Sequence, residues 1–304
     1  MDRPPGHSLH LSVSVREPLW HVGAGWAAIG GAIACGVLSG DTRLALSPPF
    51  GGLLTLALVW LLADPLLGTV WDLVAGRTGV RAQRHTLDGE AVQPLHWLPF
   101  TQPRSPAWWL AERLSRWRAR WFARSDQPET QPGIMLPAAL ALAVVLAVVL
   151  GYGVVLLVAL SVLLAWLAAR LAARDDTGAS ANSRIGPSAV RAFGIFGVPW
   201  LIGCVAGGDL DWPAVLLGLC LTIAYAGVLL TPLRFRLVGV GQLAVLSLLM
   251  GLRQPLAAAL IAVGLVGQWG LASAAAGRAS DRLRRAIHPF ILAGLLIGAL
   301  AIGV

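Results

Sequence analysis

Two aspartates and the arginines that follow them are the residues best placed to do chemistry. The stretch 64–81 reads DPLLGTVWDLVAGRTGVR. Asp64 lies well inside an apolar run, where a charged aspartate on a bilayer helix costs roughly 2.5–3.5 kcal/mol. A carboxylate so placed turns toward the protein interior or toward water, and it often marks a site. Asp72 falls where the same helix should reach the headgroups, and Arg77, Thr78 and Arg81 come next. One carboxylate can hold Mg²⁺, and paired arginines can hold diphosphate oxygens. Asp64 and Asp72 are therefore the catalytic candidates, with Asp72 the candidate metal ligand. Arg77, Thr78 and Arg81, with Arg234 and Arg236 further along, are the candidates for a diphosphate or headgroup seat. Simpler roles stand beside these. Asp72 could cap a helix end, Asp64 could make a structural hydrogen bond, and the arginines could only mark one membrane face.

The elements that must carry these residues are helices in a membrane. The chain has 304 residues, 57% of them hydrophobic and 12% charged, with a mean hydropathy of +0.72. That composition predicts a polytopic all-α membrane protein and a single membrane domain over 1–304. Nine apolar runs are countable, near 19–40, 50–75, 134–150, 152–173, 189–208, 212–230, 237–253, 255–273 and 287–304. Gly151-Tyr152-Gly153 separates runs three and four, which predicts a tight helical hairpin. Arg253-Gln254-Pro255 separates runs seven and eight, and Pro255 suits a helix start. Run seven is among the shortest and could be a broken or tilted helix.

Arginine placement tests the nine-span count. All 23 basic residues are arginines, and 21 fall in the N-terminal tail and alternate loops. Arg43 and Arg253 alone fall on the other side. The positive-inside rule then puts the N-terminus in the cytoplasm and the C-terminus outside, as for a bacterial inner-membrane protein. The acidic turn Gly207-Gly208-Asp209-Leu210-Asp211 suits the outer side. The net charge of +8, gathered in loops, implies membrane lipids and membrane subunits as partners rather than nucleic acid. The first 18 residues hold no short apolar run with a cleavage site, so no cleaved leader is expected.

The long cytoplasmic loop, 76–133, should hold an interfacial amphipathic helix over 106–124. Ser105 can cap it and Pro106 can begin it. Leu110, Leu114, Trp117 and Trp121 recur on one face, with Trp109 nearby and five arginines for charge. Such a helix lies on the membrane surface as an anchor or covers a cavity as a lid. His21 and His288 sit near cytoplasmic ends of spans and read as interfacial histidines; as alternatives, either could ligate a pigment magnesium or a haem iron. His85 and His96 lack zinc spacing. Cys35, Cys204 and Cys220 lie in apolar runs with no metal spacing and no basis for a disulfide framework. Gly23, Gly25, Gly30 and Gly31 read as close helix packing.

On these residues the chain resembles the UbiA-type intramembrane prenyltransferase family. That resemblance implies nine helices and a cytoplasmic active site. The family's first motif, NDxxDxxxD, ends span two and often continues xxxxRTxxR. Without gaps, Asp64 falls on its Asn, Pro65 on its first Asp, Gly68 on its second and Asp72 on its third. Arg77, Thr78 and Arg81 fall on the continuation. The hairpin at runs three and four and the segment 196–212, FGVPWLIGCVAGGDLDW, are similar to the family's layout. The departures are large. Pro65 and Gly68 replace two carboxylates, and 225–236, where a second Asp-rich motif should lie, has none. The family's Tyr-x-x-x-Lys element is missing, since there is no lysine. Paired Asp motifs hold the Mg²⁺ ions that help an allylic diphosphate ionise, and such oxygen-rich sites need carboxylates close together.

The resemblance therefore implies a non-catalytic member with an eroded site. Its apolar cavity would bind an isoprenoid, a quinone or a pigment lipid, and its role would be that of a subunit or scaffold in a photosynthetic or respiratory membrane assembly. Mg²⁺ is implied only if catalysis survives. The alternatives are an active prenyltransferase, moving a prenyl group from a prenyl diphosphate to an aromatic or lipid acceptor, and a transporter.

Overall fold

The computed structural model describes residues 23–39, 50–75, 131–175, 185–230, 235–274 and 280–303. Every regular element among them is helical. In chain order these are α1 (Ala24–Ala34), α2 (Phe50–Leu61), α3 (Gly68–Ala75), α4 (Gln131–Leu150), α5 (Tyr152–Asp175) and α6 (Ile185–Ala192). Then follow α7 (Val198–Gly207), α8 (Trp212–Leu229), α9 (Phe235–Gly251), α10 (Pro255–Ala274) and α11 (Ser280–Gly303). Six helical stretches are long and apolar enough to cross a membrane: Phe50–Trp71, Tyr152–Leu171, Ser188–Gly207, Trp212–Leu229, Pro255–Ser273 and Ala286–Gly303. Three shorter apolar helices, Ala24–Ala34, Leu136–Leu150 and Phe235–Gly251, fall in the first, third and seventh apolar runs.

The outward faces explain the composition. Val144, Val148, Leu156, Leu163, Leu256, Leu260, Val263 and Val266 are all exposed. A helix apolar on every side suits a lipid environment, because lipid tails satisfy the face that the protein does not cover. Burial then ranks the helices by position. The Ser188–Gly207 stretch is 67% buried and Pro255–Ser273 only 22%, so the former is central and the latter peripheral.

Chain turns follow local chemistry. Gly36, at φ +83°, closes α1: its N–H donates to Ile33 O and that of Val37 to Ala32 O, the paired bonds of a Schellman turn. Gly151, at φ +119°, makes the tight α4–α5 hairpin expected from the sequence. Pro255 begins α10, as expected. Before it, Arg253 takes φ +60°, and Gln254 N–H reaches Leu249 O at 2.9 Å. The same two-bond turn therefore forms there without glycine.

The seventh run is not broken: it forms one continuous helix of 17 residues. The deformed helices are elsewhere, in runs two and five. A π-helical segment, Leu62–Leu67, joins α2 to α3, and a second, Phe193–Gly197, joins α6 to α7. Pro65 lies inside the first. A proline has no N–H for the preceding turn and its ring crowds the carbonyl there. A widened turn relieves both, and such turns are frequent at functional positions. In the second segment, Gly194 lies under the Trp71 ring, and Phe193 folds back over Gly197. A side chain at either glycine would collide with these rings.

The centre of the bundle is the crossing of α1 and α7, which run parallel. A Cβ at Gly31 would strike Trp200 O, and one at Gly203 would strike Ala28 O. A Cβ at Gly207 would lie 2.6 Å from Ala32 O. The backbones thus touch, as small residues allow between membrane helices. Gly25, Gly30 and Gly31 bear out the expectation of close packing, whereas Gly23 has nothing within 4 Å of its would-be Cβ. α11 closes the far end, with Gly303 against Ile33 O. Within this frame the aromatic rings of Tyr225, Phe196 and Trp200 form a row. Phe196 stacks 5.2 Å from Tyr225 and 6.4 Å from Trp200, centroid to centroid.

Candidate functional site

Asp64 sits on the first π segment, about 20 Å from the start of α2 at 1.5 Å per helical residue. It is half-buried and has an interaction partner. Its Cβ lies 3.1 Å from where a Cβ on Gly25 would stand, so it faces the beginning of α1. The helical stretch that carries it, Phe50–Trp71, is long and apolar enough to cross a membrane. The next residue, Pro65, is buried. Its carbonyl accepts the Thr69 hydroxyl, a bond back along the helix that satisfies a carbonyl beside the deformed turn. Gly68, one turn on, has nothing within 4 Å of its would-be Cβ. There is room at that position for a side chain the sequence does not supply.

The helix beyond this turn is anchored by Trp71. Its indole is 5% exposed and donates to Ser161 Oγ on α5 at 3.1 Å. The same ring covers Gly194 of the second π segment. Ala165 and Ala168 complete the cluster beneath it. Trp71 thereby ties the two deformed spans together. The sequence reading missed this residue. The signal was available: a tryptophan one residue before Asp72, in a helix whose other candidates were all charged.

The remaining site candidates divide by position. Asp72 is in α3. Arg236 is exposed at the start of α9. Arg77, Thr78, Arg81 and Arg234 lie outside the described residues, as does the 106–124 helix with Trp109, Trp117 and Trp121. Among the described residues, no three His, Cys, Asp or Glu side chains gather as metal ligands. The donors between Asp64 and Gly68 do not fit Mg²⁺, which prefers several oxygens in octahedral array. Proline has no side-chain oxygen and glycine no side chain, so no step is drawn through a metal there.

Two further residue groups are placed by the fold. His288, two residues inside the end of the Ala286–Gly303 stretch, is 2% exposed and has an interaction partner. The thiols of Cys35 and Cys204, far apart in the chain, share a hydrogen bond where the end of α1 meets α7. Both remain free thiols.

Charges mark the two ends of the bundle differently. Arg170, Arg191 and Arg236 are exposed toward the end where α5 finishes and α6 and α9 begin. The Arg170 guanidinium rests 4.8 Å from the centroid of the Trp166 ring, one turn earlier on α5. Asp209 and Asp211 are exposed at the opposite end, together with Arg253. An arginine paired with an exposed tryptophan suits the headgroup level of a membrane. Fold, composition and outward faces together define an integral membrane protein, helical in every regular element of its described residues. No family model, curated protein or solved structure matches this chain.

Proposed function

We propose that this chain is a non-catalytic, nine-span relative of the UbiA-type prenyltransferases, lying in a bacterial inner membrane with its N-terminus in the cytoplasm. An apolar chamber in the bundle, near the level of Asp64, holds an isoprenoid, quinone or pigment lipid. The chain serves as a binding subunit or scaffold among other membrane proteins. One observation carries the reading. At a deep helix deformation, a single half-buried aspartate is followed by proline and glycine where that family has two carboxylates. A diphosphate leaving group needs its charge neutralised and its departure organised by metal ions. Arginines alone neutralise the charge without organising the departure. An apolar chamber does not depend on those carboxylates, so lipid binding survives their loss. Three exposed arginines at one end, against Arg253 with two aspartates at the other, support the orientation.

The test is incubation of the purified protein with geranylgeranyl diphosphate, Mg²⁺ and aromatic or lipid acceptors. The expected result is no transfer above a protein-free control. Robust transfer that EDTA and Asp72→Ala both abolish would establish an active prenyltransferase instead. Robust transfer insensitive to both would exclude this site from the chemistry altogether.

A further inference from the structure

The buried hydroxyls of the described helices are all partnered. Thr55 donates to Gly51 O at 2.8 Å and Thr222 to Gly218 O at 2.7 Å. Thr69 donates to Pro65 O, and Ser161 accepts from Trp71. Gln242 and Gln268 differ. Gln242 is 5% exposed and Gln268 is fully buried. Oε1 of Gln242 and both Oε1 and Nε2 of Gln268 have no protein partner. Inside a membrane bundle no bulk water reaches such groups, and native proteins rarely leave them unsatisfied.

The two glutamines share a level. α9 and α10 are antiparallel, and a Cβ on Gly239 would lie 3.8 Å from the Trp269 indole nitrogen. α10 and α11 are in register where a Cβ on Gly267 would lie 3.2 Å from the Phe290 ring. Counted from these contacts, Gln242, Gln268 and His288 come within about one turn of each other along the bundle. Each also belongs to the inward stripe of its helix. Gln242 follows Val238 and precedes Val245 and Leu249, Gln268 follows Ile261 and Leu265, and His288 precedes Ile291 and Leu295. Three successive helices thus each contribute a buried polar side chain at nearly one level of the bundle.

We propose that Gln242 and Gln268 seat a hydroxyl group at this level. The unpaired atoms set the chemistry. The guest must donate to an amide oxygen and accept from the Gln268 N–H. A ketone or quinone carbonyl only accepts, and an ammonium only donates. A hydroxyl does both, whether it belongs to a buried water or to the head of a lipid alcohol. The inference is independent of what the Asp64 region does.

The test compares the full-length wild type with Gln268→Met and Gln242→Met, by thermal melting in detergent and by a high-resolution density map. Methionine keeps the side-chain length and removes the amide. With a guest in place, either substitution strands the other amide, and Tm falls by about 2–4 °C. The wild-type map then shows a peak between the two amides. A Tm that rises or stays level, or a map with the amides bonded directly or with nothing between them, overturns the proposal. Added 1-hexadecanol, with hexadecane as control, identifies the source. If the alcohol raises the Tm of the wild type and not of Gln268→Met, the guest is a lipid alcohol; no shift, with the peak present, assigns it as water.

Discussion

Gly203→Val is expected to separate α1 from α7 and to destabilise the protein by about 3 kcal/mol or more, at or beyond the upper end for overpacking a core. The atoms in the way are backbone. A Cβ there would strike Ala28 O and stand 2.7 Å from Ala32 N. Helix backbone cannot rotate aside as a side chain can, so one whole helix must move. Moving it breaks the reciprocal contact, where Gly31 meets Trp200 O. Between membrane helices such packing carries most of the association, because lipid provides no hydrophobic drive between them. The opposing term is small: replacing a helical glycine with a better helix former gains only about 1 kcal/mol or less. Gly294→Ala supplies the control, because nothing lies within 4 Å of its would-be Cβ. There the propensity gain stands alone, and Tm should hold or rise slightly. Melting curves in detergent for both variants decide the matter. A Gly203→Val protein as stable as the wild type would mean that the crossing is not as tight as described.

Trp200→Ala is the second large effect, at about 3–5 kcal/mol for a fully buried tryptophan. Trp200 has no exposed surface. Its ring lies 2.9 Å from where a Cβ on Gly30 would stand and would collide with one on Gly218, so it fills space that two helices vacated. Its indole N–H donates to Ala214 O at 2.9 Å. Removing it leaves a void between α1, α7 and α8 and ends the stacked row at Phe196. Trp200→Phe separates the two contributions: it keeps most of the volume and loses the hydrogen bond, typically worth about 1 kcal/mol. Denaturant or SDS titration of both variants measures the difference. Equal losses in the two would mean that the hydrogen bond, rather than ring volume, holds this part of the core.

Residue spacing reveals the helices of this fold more readily than their deformations. Apolar runs, Gly151 and Pro255 mark helices and turns directly, because hydrophobic length and backbone chemistry act locally. The α1–α7 crossing was half visible. Small residues in α1 announce close packing, but their partners, Gly203 and Gly207, are identified only by tertiary contact. Pro65 and the Gly194–Gly197 pair read as weak points in a helix. Whether a weak point breaks, kinks or widens depends on what packs against it, and here Trp71 and Phe193 do so. The burial of His288 was hidden for a related reason: nothing in its neighbours along α11 tells which face turns inward.

The candidate site divides the same way. The depth of Asp64 follows from its place in an apolar run. Pro65 and Gly68 are plain in the sequence, and the fold adds that the helix is widened over Leu62–Leu67, which contains Pro65 and ends at Gly68. The anchoring role of Trp71 needed the fold, since its partners Ser161 and Gly194 are far along the chain. The glutamine pair needed it too, since a glutamine in an apolar run is silent until its amide is seen buried.

Extraction and mass spectrometry of the lipids retained by the purified protein test the central claim most directly. The account predicts one isoprenoid, quinone or isoprenoid-tailed pigment held in near-stoichiometric amount through delipidating washes. Retention of bulk phospholipid alone, in proportion to its abundance in the membrane, would contradict it.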